Sequence, residues 1–247
     1  MRQGKVNKNG DDKSMKSQNS PTKIANGINP SEVKSSSSKT SAGHKTKDKI
    51  IQTSLMLFNN ASVSDITTNH IAKELNISPG NLYFHFRNKE EIIRQIFKNM
   101  MTETYALWRS KKGQKALHPL ELIEKNYELF WKYRFFHREM YFLRERDAQL
   151  GKLWTTHLAK FKRMMILVYK RWWKEGWVLP ILSKSETDFI STVILATASN
   201  FVQFFESADR NSAKEHLKMG KKYVCWILMP WTHGEIRRDF ENFVHQD

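Results

Sequence analysis

The 27 residues from Asp65 to Glu91 constrain the chain more than any other stretch, because three helix starts fall inside them. Thr67 is a suitable N-cap for a helix through Leu75 that sets Ile71, Ala72 and Leu75 on one face. The tight turn Asn76-Ile77 comes next. Ser78 then caps a second short helix with Pro79 at its first position, where a missing N–H is harmless and φ is already set, and Leu82 and Phe86 face inward at i, i+4. Asn88 caps the third, with Glu91 completing a capping box.

Two helices joined by so short a turn form the helix-turn-helix pattern, in which the first braces across the backbone and the second enters the major groove by its N-terminal end. With Leu82 and Phe86 inward, Ser78, Gly80, Asn81, Tyr83 and His85 lie on or near the outer side. Gly80 lets the backbone approach a duplex closely, and Asn81 and Tyr83 can bond base edges or phosphates. His85 serves either phosphate contact or helix packing, and Thr67 and Thr68, which open the bracing helix, join the candidate contacts. Lys89 begins the next helix, where its charge opposes the dipole; a phosphate partner explains a lysine there better than helix stability does. Lys47, at the start of a helix expected over residues 46–59 with Ile50, Ile51, Leu55 and Phe58 inward, has the same explanation.

The runs Ile71-Ala72, Ile77-Ser78-Pro79-Gly80-Asn81-Leu82-Tyr83-Phe84-His85-Phe86 and Asn88-Lys89-Glu90-Glu91 resemble the DNA-binding segment of bacterial regulators of the tetracycline-repressor (TetR) family. The resemblance covers roughly residues 46–100, with Asn76 standing where the family commonly has a glycine. It implies that the Leu-Tyr-x-His-Phe run closes the recognition helix and that Lys89 grips the DNA backbone.

The formal charge is +16, and residues 1–44 account for only +5 of it, so the rest of the chain is itself basic. That balance favours polyanionic partners, nucleic acid first and anionic membrane second. Residues 1–44 hold no Phe, Trp or Tyr and are expected to be a disordered basic tail, either a mere solvated leader or an arm adding phosphate contacts. The N-terminus lacks an apolar signal segment, and Cys225, the single cysteine, reads as a buried thiol; both suit a cytoplasmic protein. Phe189 to Phe205 carries no charge but is short for a membrane span and holds several polar residues.

A long helix from Lys89 to about Lys111 is expected, with Ile92, Ile93, Ile96, Phe97, Met100, Met101, Tyr105 and Trp108 in one stripe, linking the reader to the C-terminal half. Further helices begin at Pro119, around Arg138, at Leu150, at Ser185, at Ser212 and at Glu235, with no alternating β-branched run between turn signals. The class is therefore all-α: a tail over residues 1–44, a three-helix domain with the helix-turn-helix over 45–91, and a C-terminal helical bundle over 92–247.

All eight tryptophans lie C-terminal to the reader. Core packing accounts for most, yet a bundle lined by Trp, Phe and Met is also what an apolar ligand cavity looks like. The resemblance implies a small lipophilic effector in that bundle, with Trp108, Tyr127, Trp131, Trp154, Phe161 and Met165 as candidate lining and Arg134, Arg138 or His157 for a polar head group. It also implies pairing through the last two long helices, with Phe189, Val193, Phe201, Phe204, Phe205, Tyr223, Trp226 and Ile227 at the interface of a homodimer on a palindromic operator.

No Gly-x-Gly-x-x-Gly, phosphate loop, Gly-x-Ser-x-Gly elbow or His-Glu-x-x-His occurs, so no enzyme, metal or cofactor is expected. The competing readings are a basic helical protein lying on a membrane surface, and a DNA-binding regulator without an effector.

Overall fold

The computed structural model describes residues 30–109, 114–180, 183–206 and 213–246, with side chains described outside 30–42, 202–206 and 213–214. Helix α1 runs Pro30–Asn60, α2 Thr68–Glu74, α3 Pro79–His85 and α4 Lys89–Trp108. After it come α5 Pro119–Lys132, α6 Arg134–Arg146, α7 Ala148–Lys174, α8 Lys184–Glu206, α9 Ala213–Leu228 and α10 Gly234–His245. Among the described residues the only β pairing is an isolated bridge between Val178 and Thr232, which ties the turn after α7 to the turn before α10. The expected class holds. Helix α1 starts at Pro30, ahead of the helix expected over residues 46–59, while the compact unit that holds the reader begins at Gly43. Once a helix is nucleated, each further residue adds a hydrogen bond at little cost, and Pro30 occupies the first position that proline tolerates. Residues 1–29 of the expected tail lie outside the described residues.

Local chemistry sets the three short connections of the reader. Thr67 Oγ1 accepts from His70 N and His70 Nδ1 accepts from Thr67 N, a capping box with histidine in the role usually held by a carboxylate. At the other end of α2, Ile77 N donates to Ala72 O and Asn76 N to Lys73 O, the paired bonds of a Schellman turn. That turn requires a left-handed residue, and Asn76 supplies it at φ 53°. Asparagine tolerates this region better than other side chains, so it can replace the glycine usual at such a stop. Ser78 Oγ accepts from Asn81 N, and Asn88 Oδ1 from Glu91 N. Glu91 returns its bond to Arg87 N at 2.8 Å, one residue before the expected partner.

Within the compact unit Gly43–Asp247, the reader shares its core with the bundle. One apolar cluster joins Phe58, Ile71, Leu82 and Phe86 to Ile92 and Phe97 of α4, to Phe135 and Phe136 of α6 and to Leu150 of α7. Polar bonds reinforce the same junction. Asn59 at the end of α1 donates to Lys132 O and accepts from Phe135 N, while Arg138 donates to Phe58 O and Ala61 O at 2.8 Å each. Glu139, ion-paired to Arg138, takes the Val63 N–H on both its oxygens at 3.1 Å. The start of α6 thus holds the end of α1 and the loop into α2.

A second cluster gathers α5, α8, α9 and α10 around Tyr127, Phe201, Cys225 and Phe240. Here α9 comes close because residue 220 is glycine; a Cβ there would lie 2.6 Å from Tyr127 Cε1 and 2.8 Å from Phe201 Cδ1. Cys225 is fully buried, as expected, and burial pushes its thiol up to about 12. No helix among the described residues is long and apolar enough to cross a membrane, α8 included.

Burial also depresses two imidazoles. His137, next to His157, and His157, next to Lys160, are each held down to about 4 against an ordinary 6.5, burial being the larger cause in both. Below pH 6.5 the unfolded chain takes up these protons before the folded one does, so the stability they allow is complete above 6.5 and lost as pH falls toward 4. The urea midpoint should therefore drop across that window, and drop less in His137→Phe.

Candidate nucleic-acid interface and bundle cavity

The inward and outward faces of α3 separate as its sequence requires. Leu82 and Phe86 are 0% and 2% exposed, whereas Ser78, Gly80, Asn81 and Tyr83 face solvent. Tyr83 is 48% exposed, and its hydroxyl lies 2.9 Å from Thr68 Oγ1, which ties the two helices together on their outer side. A Cβ at Gly80 would meet nothing nearer than Ser78 Oγ at 3.9 Å, so nothing within the chain itself demands a glycine there.

Phe84 is a residue the outward set omitted. It is 84% exposed, the most open large apolar side chain among the described residues, with its ring edge-on to that of half-buried His85 at 5.2 Å. The signal was present, since Phe84 is two residues from both inward anchors and must point away from them. An aromatic ring held in water at the tip of a groove-reading helix suits contact with a thymine methyl.

The lysines divide. Lys47 lies half-buried with its ammonium 5.3 Å over the Phe86 ring. Lys89 turns back, donating to Val63 O at 2.6 Å and Ile66 O at 2.8 Å. These carbonyls supply the negative partner for which a phosphate was invoked. Within the chain Lys89 is therefore a latch between the first turn of α4 and the loop before α2.

In the bundle, α4, α5, α7, α8 and α9 enclose an apolar cavity of about 70 Å³. Of the six candidate lining residues, Trp108, Tyr127 and Met165 border it, and none of the three head-group candidates does. Trp108 in the last turn of α4 is oriented by its Nε1–H bond to Asn126 Oδ1 at 2.8 Å, and Phe161 packs edge-on behind it at 4.8 Å. The Tyr127 hydroxyl is buried with no hydrogen-bond partner, and burial drives its pKa up. Ser191 and Ile194 of α8 also border the cavity and stand outside the candidate set, because an apolar stripe on α8 reads in sequence as a dimer face.

The other candidates lie elsewhere. Trp154 and His157 belong to the aromatic core with Phe97 and Phe136, and His157 Nδ1 lies 3.0 Å from the Tyr105 hydroxyl. Trp131 is half-buried under the Arg134 guanidinium at 4.6 Å. Arg134, bonded to Asn60, and Arg138 sit at the end of α1, where they fasten the reader to α6; neither borders the apolar cavity.

On the last long helices, Phe189, Tyr223 and Trp226 are 60%, 39% and 49% exposed, and Val193 and Ile227 are half-buried. Phe201 is only 4% exposed and packs on Tyr127 and Tyr223 within its own chain, so it is a core residue and not an interface anchor. The gap left by Gly220 admits its ring. The Phe204 and Phe205 side chains lie outside the described residues. Three possible ligand atoms, from His118, Glu235 and Asp239, fall within 4.8 Å of one another where α10 meets the start of α5, a grouping invisible to a search for local histidine motifs.

A braced, solvent-facing recognition helix joined by one long helix to an apolar cavity defines a helix-turn-helix, DNA-binding transcriptional regulator. Residues 50–96 match the pattern of "Bacterial regulatory proteins, tetR family", and residues 91–240 that of "Bacterial transcriptional repressor". The chain belongs to the TetR family. A TetR-family transcriptional regulator of Marinobacter aquaeolei VT8 superposes with TM-score 0.72 at 28% identity, over 81% of this chain and 97% of that one. CprB of Streptomyces coelicolor A3(2) shares the fold, with TM-score 0.58 at 14% identity over 82% and 96%. The biofilm operon icaADBC negative regulator IcaR of Staphylococcus epidermidis is 42% identical over 53 residues, 22% of this chain and 29% of that protein. This similarity therefore spans under a third of IcaR.

Proposed function

We propose that the chain works in the cytoplasm as a homodimeric repressor that reads a palindromic operator through Asn81, Tyr83 and Phe84 and is released by a small lipophilic effector bound beside Trp108. The observation that carries this reading is the span of α4. Its first residue, Lys89, latches the loop that leads into α2, and its last, Trp108, is a wall of the cavity. Twenty residues of helix place those ends about 30 Å apart on one rigid rod.

The cavity's size supplies the switch. Drug-sized ligands occupy roughly 300–1,000 Å³, so an occupant of a 70 Å³ space must displace a wall, and Trp108 is the wall attached to the reader. A tilt of α4 then alters the separation of the two readers in a dimer, and a fixed half-site spacing is no longer met. The unpartnered Tyr127 hydroxyl favours an effector with one hydrogen-bonding group on an apolar body. Exposed Phe189, Tyr223 and Trp226 support pairing through α8 and α9.

Selecting bound sequences from a random duplex pool tests the reading. One imperfect palindrome should emerge, held more tightly than random duplex by about 10³-fold or more and weakened by salt. Tyr83→Ala should relax the selection at one or two positions in each half-site. Enrichment of no sequence, or a Tyr83→Ala pool identical to the native one, would remove the basis for it.

A further inference from the structure

Beyond the apolar cavity, α6, α7 and α8 line a separate, half-open cleft of about 540 Å³. His137 of α6 borders it with a side chain buried from solvent, and neither ring nitrogen has a hydrogen-bond partner. Its close aromatic neighbour is Phe130, edge-on at 4.5 Å. Buried nitrogens are ordinarily paired, so two left unpaired in a residue of the cleft wall call for a ligand group, which the ring turns outward to meet. Two cations border the same space. Arg144 lies over Trp154 at 5.5 Å and, among the described residues, bonds the Met140 carbonyl alone, and Lys162 bonds Thr192 Oγ1 at 2.9 Å. No carboxylate lines the cleft, and among the described residues neither cation is ion-paired.

We propose that this cleft is a second ligand site, built for an amphipathic organic anion whose carboxylate meets His137, Arg144 and Lys162 while its apolar body lies against Trp154, Leu158 and Leu195. Burial keeps His137 neutral at physiological pH, so it offers one N–H to a carboxylate oxygen. Arg144 and Lys162 supply the charge-assisted bonds. The volume falls in the range of sites that enclose a small organic molecule. A helix from a second copy of this chain is the other occupant that the test below separates from a small anion. The site is independent of the effector cavity beside Trp108 and shares no lining residue with it.

Titration calorimetry with decanoate and decanol, on the full chain without DNA, tests this site and does not depend on operator recognition. Decanoate should bind at least about tenfold more tightly than decanol, since only it has a charge for the two cations. The double variant Arg144→Gln/Lys162→Gln, partly exposed and expected to fold, should erase that margin and leave decanol unaffected. His137→Phe, which keeps the aromatic packing and removes both nitrogens, should weaken decanoate severalfold; if it fails to fold, the double variant still decides. Equal binding of the two probes, no decanoate binding, or undiminished decanoate binding in the double variant overturns the proposal. So does loss of self-association in that variant with decanoate affinity intact, which would assign the cleft to a second copy.

Discussion

Gly80→Leu is expected to lower operator affinity by about 100-fold or more while leaving the melting temperature unchanged or slightly raised. The surroundings of the missing side chain set both expectations. With only Ser78 Oγ within 4 Å of a Cβ, at 3.9 Å, and the position open to solvent, the protein itself has room for a side chain to leave the helix, and leucine favours a helix over glycine by roughly 0.8 kcal/mol. A glycine kept at a slight cost to its own helix is explained by an object outside the chain. If the N-terminal end of α3 enters the major groove, a leucine there meets base edges or sugar and holds the helix off the duplex. A 100-fold loss is about 2.7 kcal/mol, the scale of one or two base contacts forfeited. Gly220 makes the contrasting case, since a Cβ there strikes the Tyr127 and Phe201 rings and any side chain must damage the fold first. Gel-shift titration and a thermal melt of Gly80→Leu read the two quantities separately. Operator affinity within threefold of native would mean that α3 does not approach DNA by this end.

The contrast between those glycines also shows which parts of the molecule its sequence discloses. The caps and the turn of the reader are made of bonds between residues three to five apart: Thr67 with His70, Asn76 and Ile77 with α2, Ser78 with Asn81, Asn88 with Glu91. Caps, a proline and two apolar anchors therefore suffice to place α2, α3 and the start of α4. Phe84 obeys the same spacing, although the outward set leaves it out. The bundle is made differently. Whether Trp154 borders the cavity beside Trp108 or packs on the aromatic core depends on Phe97 and Phe136, 57 and 18 residues away, and no periodicity in α7 distinguishes the two. Arg138 stands on an aromatic helix as a ligand's partner would, yet its guanidinium serves carbonyls at Phe58 and Ala61. Phe201 lies on the expected dimer stripe, and only the glycine on the neighbouring helix reveals that it turns inward. The helix dipole alone points Lys89 to a phosphate, while the partners it has within the chain belong to a loop 23 and 26 residues earlier.

Asp147→Ala should lower the unfolding free energy by about 3 kcal/mol, the largest effect expected of a single truncation outside the apolar core. Asp147 is 8% exposed and performs two tasks with its two oxygens. Oδ1 caps α7, accepting from Gln149 N at 3.0 Å and Leu150 N at 3.2 Å, an arrangement that contributes about 1 kcal/mol. Oδ2 accepts from Arg94 Nη1 at 2.6 Å across the α4–α7 contact. Alanine removes both and leaves the mostly buried guanidinium, 19% exposed, without its carboxylate, which accounts for roughly 2 kcal/mol more. For a folded unit of this size the sum corresponds to a melting temperature lower by roughly 6–12 °C. Asp147→Asn keeps a cap oxygen and loses the charge, so it should fall between native and Asp147→Ala. The pair also bears on signalling, since α7 carries Met165 at the cavity and Arg94 lies in the reader half of α4. If the two helices respond to a ligand as one body, this bond helps to make them so, and in Asp147→Ala an effector should release DNA less completely at saturation. A melt displaced by less than about 2 °C would show that Arg94 finds water or another acceptor, and that the α4–α7 contact is held by Phe97 and its aromatic neighbours alone.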